Sequence, residues 1–343
     1  MSRSDVAAVV LAAGQSTRMK SKTSKMLHSV CGRPVIRYLI DVIEAVQAHR
    51  IVMVVGYQAE NIKTELLGKN IEFVLQKERL GTAHAVLQTK EILSDFSGTV
   101  LILNGDTPLL TSKEVRELIA LHNQSQAGAT ILSGDVPDPF GYGRIVRDET
   151  GCVLEIVEEK DASEEQRKVR EINTGIYCFQ ARDLYGTLSR VSNRNASREY
   201  YLTDLVSIFR DQGKPVQALK VTDFRTALGI NTRADLAEAN RIMRQRILAC
   251  LMADGVTVVD PHNTYIDFGV SIGRDTVIGP GSVIEGVSLI GEECFIGPFS
   301  RIINSTLEDK IYLEGGCFIM GSHLPKGSVV SAFQQIGRDN QQH

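Results

Sequence analysis

The sequence predicts an α/β domain with a mixed, largely parallel sheet, followed by a short left-handed parallel β-helix. Three observations lead to this prediction. Short apolar runs alternate with longer stretches of helical periodicity up to about residue 230. An amphipathic stretch then covers residues 232–252. After it, isoleucine recurs every six residues from Ile272 to Ile302, which is the hexapeptide repeat of a parallel β-helix.

The first of these regions is expected to be a sheet covered by helices. Its strands are the runs VAAVVLAAG, RIVMVVG, IEFVLQ and TVLILNGD, and between them VIRYLIDVIEAVQ, ENIKTELLG and GTAHAVLQTKEIL have helical spacing. Strands that are apolar throughout are typical of a parallel sheet buried on both faces. The later runs ATILSGDV, GRIVRDE and INTGIYCF are shorter with tighter turns, so we expect them to be antiparallel additions at the sheet edge.

Residues 232–252 predict one long helix that links two domains. Its apolar residues lie close to one stripe, with arginines opposite. Thr232 and Asp235 have the spacing of a capping box, in which Asp takes the place of the usual Glu. We therefore expect a first domain at 1–231, a linker helix at 232–252, and a β-helix domain with its tail at 253–343.

The hexads share a second regularity. The fourth position after each isoleucine is small, namely Thr276, Ser282, Ser288, Cys294, Ser300 and Thr306. A small residue suits the tight corner of a coil, and one aliphatic residue on each face stacks into a continuous core. The alternative is a β-sandwich, but its alternating strands would give a period of two and no fixed six. The regular hexads stop near Ile302, which predicts a short β-helix.

Composition argues against several classes of protein. The 343 residues carry a formal net charge of -3, whereas electrostatic nucleic-acid binding depends on an excess of Lys and Arg. No apolar run is long enough to cross a bilayer, and the N-terminal run is too short for an export signal and leads into a glycine turn. The six cysteines form no C-x-x-C pair. We therefore expect a cytoplasmic protein with reduced thiols and no zinc site, nucleic-acid partner or membrane partner.

A loop with one glycine and two cations follows the first predicted strand. Gly14 comes after the apolar run that ends at Leu11, and Arg18 and Lys25 come next. The missing Cβ of Gly14 permits strained dihedral angles and close approach of the backbone. Backbone N–H groups in such a turn form an anion nest, to which the cations add charge for phosphate oxygens. A plain βα turn with two solvated cations explains the same residues equally well.

A carboxylate follows another buried strand. The run VLILNG delivers Asp106 at its carboxyl end. Ligands of open α/β sheets collect beyond the carboxyl ends of strands, so Asp106 and the Gly14 loop are expected to face one crevice. A carboxylate beside a triphosphate makes sense mainly as a ligand of Mg²⁺. The alternative is a turn residue or a helix cap, both of which Asp fills readily.

Eight stretches, taken in their order along the chain, are more specific than any one of them. They are LAAGQSTRM with Lys25, QKERLGTAHA (76–85), LNGDTPLL (103–110), GYGRIV (141–146), IVEEKDA (156–162), EINTGIY (171–177), EYYLTD (199–204) and LGIN (228–231). In these the chain resembles the sugar-1-phosphate nucleotidyltransferases, and within them the bifunctional UDP-N-acetylglucosamine pyrophosphorylase/glucosamine-1-phosphate acetyltransferase family. The stretches cover nearly the whole first domain.

The resemblance implies a Rossmann-like nucleotidyltransferase sheet and a reaction of UTP with N-acetylglucosamine 1-phosphate that yields UDP-N-acetylglucosamine and pyrophosphate. Arg18 and Lys25 would be catalytic. Gly14 would hold the UTP phosphates together with Arg18 and Lys25. The other substrate-binding residues would be Gln76, Gly81 and Thr82 for the uracil, Gly143, Glu158 and Asn173 for the sugar, and Leu11, Ala13 and Asn231. Asp106 and Asn231 would bind Mg²⁺. Tyr142 and Thr174 are plausible neighbours of the sugar. Without the resemblance, Gln76, Glu158, Asn173 and Asn231 would each be interpreted as surface polar residues.

The chain departs from the family's pattern in both domains. Ser16 stands where the family usually has Gly, and Ser24 where it usually has Pro before the lysine. The family's acyltransfer residues match no position of the second domain, where His323 is either a general base or, more simply, a surface residue. We therefore expect acetyl transfer to be absent. A few coils bury little core, so a homotrimer through the β-helix is expected, as the resemblance also implies.

Other functions stay open. A related pyrophosphorylase would use glucose 1-phosphate or another sugar phosphate, or dTTP in place of UTP. A non-catalytic scaffold subunit would have no need of Arg18, Lys25, Asp106 and Asn231 together. A hexapeptide-repeat acyltransferase is disfavoured by the shortness of the coil region.

Overall fold

A computed structural model describes residues 5–14, 17–56 and 58–337. The chain forms two compact units, one of Met1–His28 with Val35–Asp235 and one of Ser29–Pro34 with Leu236–His343. The second unit thus takes in a short hairpin from the first tenth of the chain. Our functional boundaries at 231 and 252 stay a prediction.

The first unit is built on a nine-stranded mixed sheet. Up to residue 220 the elements are β1 (Val6–Ala12), the hairpin strands β2 (Ser29–Val30) and β3 (Arg33–Pro34), α1 (Val35–Ala45), β4 (Arg50–Val55), α2 (Ala59–Glu65), β5 (Glu72–Leu75), α3 (Thr82–Leu87), β6 (Thr99–Asn104), α4 (Ser112–Ser125), β7 (Ala129–Asp135), β8 (Arg144–Arg147), β9 (Val153–Val157), α5 (Glu164–Arg167), β10 (Glu171–Gln180), α6 (Ala181–Thr187), α7 (Asp204–Asp211) and β11 (Val216–Lys220). Short 3₁₀ turns occur at Thr17–Met19, Lys25–Leu27, Leu188–Arg190 and Phe224–Ala227. The sheet order is β11-β7-β10-β6-β1-β4-β5, and β8 pairs with β9 and β10.

The central strands are apolar on both faces, as predicted. In β1, Ala7 and Val9 belong to one buried cluster while Ala8 and Val10 belong to the other. Successive residues of a strand point to opposite faces, so each face of the sheet has its own core. This architecture confirms the predicted α/β class.

Two strands are not where the sequence predicts them. We expected the later strands to be antiparallel additions at the sheet edge, yet β7 lies between β11 and β10. Strand β10 also lies inside the sheet, antiparallel to both β6 and β7. Its residues Ile172, Ile176, Cys178 and Phe179 are all fully buried. A strand with so little exposed surface needs neighbours on both sides, and the edge is left to the half-exposed β11.

Helix α8 (Arg233–Ala253) follows the first unit's last strand and begins with the predicted capping box. The Asp235 backbone N–H donates to Thr232 Oγ1 at 3.1 Å, and the Thr232 N–H donates to Asp235 Oδ2 at 2.8 Å. Towards its end, Leu248 is fully buried and packs in the β-helix core together with Ile247 and Leu251. The helix therefore shares the core of the second unit.

The second unit is a left-handed parallel β-helix with three faces, as predicted. Its strands are β12 (Thr257–Val258), β13 (Tyr265–Ile266), β14 (Ser271–Ile272), β15 (Val277–Ile278), β16 (Val283–Glu285), β17 (Leu289–Ile290), β18 (Phe295–Ile296), β19 (Arg301–Ile303), β20 (Thr306–Leu307), β21 (Tyr312–Leu313), β22 (Phe318–Met320), β23 (His323–Leu324), β24 (Val329–Val330) and β25 (Gln335–Ile336). They form three parallel sheets in the orders β12-β15-β18-β21-β24, β13-β16-β19-β22-β25 and β14-β17-β20-β23. Each strand directs one aliphatic residue into a single core.

The coil is longer than the regular hexads predict. It continues past Ile302 through Leu307, Leu313, Ile319, Leu324 and Val330, all buried. The period is lost because the corner after β19, and again after β22, is one residue shorter than before. At the first of these corners Asn304 has a φ of 45°, and the small buried residue is Ser305 rather than the exposed Thr306. Our assignment of Thr306 as the small corner residue was therefore wrong.

Among the helices of the described ranges, none combines the length and the apolar character that a bilayer crossing requires.

Candidate active site

A cleft of about 420 Å³ lies at the carboxyl ends of the central strands of the first unit. Leu11 lies near the end of β1, and its carbonyl accepts a hydrogen bond from Gly105 N–H at 3.0 Å, so the ends of β1 and β6 lie side by side. The predicted residues that line this cleft are Leu11, Ala13, Gly14, Lys25, Gln76, Gly81, Thr82, Asp106, Gly143, Glu158, Asn173 and Asn231. Among the predicted residues, all within the described ranges, only Arg18 does not line it.

Two cationic side chains and two side chains with oxygen atoms that can bind a metal meet at this edge of the sheet. The Lys25 ammonium contacts Asp106 Oδ2 and lies 3.2 Å from Asn231 Oδ1. Arg18 Nη2 donates to the same amide oxygen at 3.0 Å. Arg18 thus joins the cluster through Asn231 although its own side chain is exposed. Asp106 is 6% exposed, so its carboxylate is a buried charge that requires a cation.

The orientation of the Asn231 amide is determined by its neighbours. Its Nδ2 donates to Gly229 O at 3.2 Å, which turns Oδ1 towards the two cations. Its backbone N–H donates to Asp235 Oδ2 at 2.9 Å, in the capping box of α8. Carboxylate and amide oxygens that already point at one ammonium have the chemistry that Mg²⁺ requires, so these residues fit the predicted metal. In the described residues, no group of three or more His, Cys, Asp or Glu side chains is arranged to hold a metal.

The glycines of the site act in different ways. The φ of Gly14 is outside the left-handed region, so our argument from strained dihedral angles was wrong for this residue. A Cβ added to Gly14 would meet no atom within 4 Å, which leaves open space for a ligand to approach the backbone. A Cβ on Gly229 would lie 2.9 Å from Asp106 Oδ1. Ser16, the first departure from the family pattern, lies outside the described residues.

Ser24, the second departure, has a backbone N–H that forms a hydrogen bond, whereas a proline at this position would have no N–H to donate. It is 4% exposed, and its backbone N–H donates to Gln58 Oε1 at 2.7 Å. The Gln58 amide nitrogen in turn donates to Lys22 O. Ser24 has a φ of -55°, within the range that proline adopts. Gln58 therefore supports the segment before Lys25 where this chain lacks a proline.

The segment that includes Gly81 and Thr82 pairs with a distant one. Tyr200 N–H donates to Leu80 O at 2.7 Å, and Ala83 N–H donates to Tyr200 O at 2.9 Å. Gly81 has a φ of 113°, and a Cβ there would lie 2.4 Å from Tyr200 O. Only glycine allows this approach, which explains why the QKERLGTAHA and EYYLTD stretches occur together.

The residues predicted for the sugar form a second group. Glu158 follows β9 and accepts a hydrogen bond from Thr203 Oγ1 at 3.3 Å. A Cβ on Gly143 would lie 3.4 Å from the Glu158 carboxylate oxygens. Asn173 donates through Nδ2 to Tyr177 Oη at 2.7 Å, and its Oδ1 accepts from Gly175 N–H at 3.0 Å. Both predicted neighbours, Tyr142 and Thr174, line the same cleft.

Burial shifts the protonation of this group. Desolvation raises the pKa of Glu158, partly offset by the Thr203 hydrogen bond and reinforced by nearby carboxylates, of which Asp161 is the largest. Burial and the charge of Asp161 raise the pKa of Asp204 to about 6. Burial, with the charge of Glu158, also raises the pKa of Tyr177, so its hydroxyl stays protonated at neutral pH. The cleft therefore offers a desolvated carboxylate as a hydrogen-bond acceptor beside neutral donors.

Sequence reasoning missed several residues that line the cleft. They include Arg79, Asn104, Tyr177, Glu199, Leu202 and Thr203. All six lie within the matched stretches. The motifs therefore contained these residues, but no residue type within them distinguished a residue that lines the cleft from an ordinary surface residue.

The histidine that we considered as a general base, His323, lies on the outer surface of the β-helix. His323 Nε2 lies 3.0 Å from Glu308 Oε1, and both side chains are largely exposed. His323 is therefore a surface residue that contacts Glu308.

Two known protein families match successive parts of the chain, as expected for a nucleotidyltransferase region followed by hexapeptide repeats. The Nucleotidyl transferase family matches residues 7–242, and the Bacterial transferase hexapeptide (six repeats) family matches residues 269–304. The first match covers the sheet and every predicted site residue. The second ends where the corners shorten, although the coil continues to β25.

Several curated relatives share most of the chain, and each bears the name Bifunctional protein GlmU. The relative from Latilactobacillus sakei is 44% identical over 337 residues, which cover 97% of this chain and 73% of the relative. The one from Listeria monocytogenes (strain CLIP80459) is 47% identical over 307 residues, with 90% and 67% covered. The one from Geobacillus (strain WCH70) is 50% identical over 295 residues, with 86% and 64% covered. With a nucleotidyl transferase match over most of its length and this level of identity to these relatives, the chain belongs to the bifunctional GlmU family.

Proposed function

We propose that the chain transfers a uridylyl group from UTP to N-acetylglucosamine 1-phosphate in the presence of Mg²⁺. The observation that carries the proposal is the cluster in which Lys25 contacts Asp106 and Asn231 in the cleft and Arg18 joins them through Asn231. An anion site needs only the cations, and a metal site needs only the oxygens. Their combination suits a nucleoside triphosphate with its bound metal.

The reaction is an in-line displacement. An oxygen of the sugar phosphate attacks the α-phosphorus of UTP, and the bond from that phosphorus to the oxygen bridging to the β-phosphate breaks. Pyrophosphate leaves with the electron pair of that bond. The attacking phosphate is already an anion at neutral pH, so no general base is required. Lys25 and Arg18 stabilise the charge that develops around the α-phosphorus, and positioning provides most of the remaining acceleration.

Asp106 and Asn231 would hold Mg²⁺, which when bound neutralises charge on the phosphates. Leu11, Ala13 and Gly14 bring the backbone to the triphosphate. Gln76, Gly81 and Thr82 contact the uracil, because an amide can match the imide edge of that base. On the sugar side, Glu158 accepts from a hydroxyl and Asn173 bonds a polar substituent, with Gly143 leaving room beside Glu158.

The test is pyrophosphate release from UTP with Mg²⁺, in which N-acetylglucosamine 1-phosphate, glucosamine 1-phosphate and glucose 1-phosphate are compared. A preference for the first supports the proposal. A preference for glucose 1-phosphate keeps the mechanism and changes the substrate. No turnover with any of them, with dTTP as well as UTP, would make the scaffold function the leading one.

Acetyl transfer is a separate question, since the relatives are named bifunctional. Our expectation that it is absent rested partly on a coil that stops near Ile302, and the coil extends to Ile336. Acetylation of glucosamine 1-phosphate by acetyl-CoA, measured on the same preparation, decides it. The uridylyl transfer proposed above is expected in the cytoplasm, where free UTP is available.

A homotrimer through the β-helix is also part of the proposal. At one corner of the coil Phe299 and Phe333 are 74% and 86% exposed, and their rings lie against the Cβ positions that Gly281 and Gly316 lack. Exposed rings on a repeat surface favour association with further copies. Sedimentation equilibrium of the chain should give three times the 37.7 kDa mass of one copy. A monomer at micromolar concentration would contradict this.

A further inference from the structure

A histidine lies directly behind the amide assigned to the uracil. His84 is the third residue of α3, and it does not line the cleft, whereas its neighbours Thr82 and Ala85 do. Gln76 does line the cleft and is only 6% exposed. Its amide lies against His84, so whatever orients that amide decides which of its atoms a nucleotide base meets.

Two contacts involve the amide nitrogen of Gln76. It lies 3.3 Å from Gly81 O and 3.1 Å from His84 Nδ1. A carbonyl oxygen only accepts, so the side of the amide that faces Gly81 must be the NH₂ group. Its two hydrogens then go to Gly81 O and to His84 Nδ1. In this arrangement Nδ1 carries no proton, and Oε1 is the atom that the amide offers to a ligand.

The second ring nitrogen of His84 has a competing partner. Gln88 Nε2 lies 3.2 Å from His84 Nε2 and 3.1 Å from His84 O. A neutral imidazole has one acceptor nitrogen, so it cannot accept from both amides at once. One of the two glutamines must present its oxygen to the ring instead.

The cost of turning each amide decides between them. Turning Gln76 would place its oxygen against Gly81 O in a buried site and leave that carbonyl without a donor, at a cost of the order expected for an unsatisfied buried group. Turning Gln88 gives up one bond to His84 O at a half-exposed position, where water can replace it. Nδ1 is therefore the acceptor, Nε2 carries the proton, and Gln88 adapts.

The side of the Gln76 amide that faces the cleft then has the hydrogen-bonding pattern of one class of base. Uracil and thymine carry an N3–H donor, to which Oε1 offers an acceptor. Cytosine has an unprotonated N3 at the same place, and two acceptors facing each other repel. The amide in its other orientation would favour cytosine instead. We propose that His84 is a positioning residue that selects uridine over cytidine nucleotides by holding the Gln76 amide through Nδ1; this rests on the proposed function.

The experiment compares kcat/KM for UTP and for CTP with N-acetylglucosamine 1-phosphate as the common acceptor. His84→Leu removes the acceptor beside Gln76, and we expect the UTP-to-CTP ratio to fall about tenfold, by the loss of one hydrogen bond. His84→Asn keeps an amide at the place of Nδ1 and should restore most of the ratio. His84→Gln places its amide near the position of Nε2 and should not. Gln88→Leu is the matched control, with a ratio within about twofold of the parent.

The outcomes separate this proposal from the proposed function. A parent chain that releases no pyrophosphate from UTP overturns both. An active parent whose ratio is unchanged by His84→Leu overturns only the role of His84. The same holds if UTP and CTP lose activity equally, since a purely structural histidine would affect both. If the Leu variant does not fold, the comparison of Asn with Gln decides, and equal ratios for these two would overturn the proposal.

Discussion

The two units of this chain differ in how far apart in sequence their essential contacts are. In the β-helix, Ile302 pairs with Ile284 and Ile319, which are 18 and 17 positions away. At the candidate active site, Arg18 and Lys25 reach Asn231, which is 213 and 206 positions away. A repeat makes every environment a copy of its neighbour, so local pattern is enough to predict it. The site exists only after the whole sheet is assembled.

The largest effect that we expect tests the stacked core. Ile302→Ala removes a fully buried side chain between two fixed neighbours, so the coil has little freedom to close the cavity. We expect a loss of about 4 kcal/mol in the free energy of unfolding, near the upper end for such substitutions. Thr306→Ala, on the exposed side of the next strand, is the control and should stay within about 0.5 kcal/mol. Urea unfolding measures both, and similar values would show that the repeat is not the source of stability.

The next effect tests the long-range cluster. Lys25→Ala removes a cation from the place proposed for the α-phosphate, and we expect turnover to fall at least about a hundredfold, or on the order of 3 kcal/mol. Lys22→Ala, an exposed lysine of the same loop, should keep near-normal turnover. Pyrophosphate release at saturating UTP is the measurement. Near-normal turnover of Lys25→Ala would show that Lys25 does not have this role.

A smaller effect tests how the loop before Lys25 is supported. Gln58→Leu leaves the buried Ser24 N–H without its acceptor, and we expect a cost of about 1–2 kcal/mol in unfolding free energy. Ser24→Pro has no N–H, so Gln58→Leu should cost about 1 kcal/mol less in that background. Urea unfolding of the four proteins gives the coupling directly. Costs that simply add would mean that Gln58 acts on the loop in some other way.

The smallest effect concerns pH. The folded-state pKa of Asp204 is raised to about 6 from an ordinary 3.8, so the folded state holds this proton more tightly than the unfolded chain does. Stability from this residue is present below pH 4 and is lost as pH rises to 6. Because Asp204 is half-buried, we expect less than about 1 kcal/mol. Asp204→Asn should make the midpoint of thermal unfolding less dependent on pH between pH 4 and 6.5. An unchanged pH dependence would contradict the raised pKa of Asp204.

Much of this molecule could be predicted from its sequence. Apolar runs placed the strands β1, β4 and β6, and the six-residue period placed the coil. Position within the sheet could not be predicted, because the place of β10 between β6 and β7 depends on which strands remain unpaired. The true length of the coil could not be predicted because the corners after β19 and β22 are one residue shorter than the others. These corners interrupt the six-residue period of the sequence, although the strands continue to stack.

The candidate site divides in the same way. Asp106 and the Gly14 loop were expected to face one crevice, and Asp106 and Gly14 both line the cleft. The residues that support other parts of the site, Gln58 beside Ser24 and His84 beside Gln76, were not predicted. Gln58 and His84 act through hydrogen bonds whose partners are set by the tertiary fold, and a lone polar residue carries no local signal of such a role.

The capping box of α8 has a consequence for domain exchange. The Asp235 carboxylate accepts from the backbone N–H groups of both Thr232 and Asn231, so a residue in the first turn of the helix also holds a proposed metal ligand in place. The boundary between the compact units falls immediately after Asp235. A chimaera that joins this cleft to a foreign helix should therefore keep the native chain through Asp235. A junction four residues earlier, after Asn231, would remove the carboxylate that holds this proposed metal ligand in place.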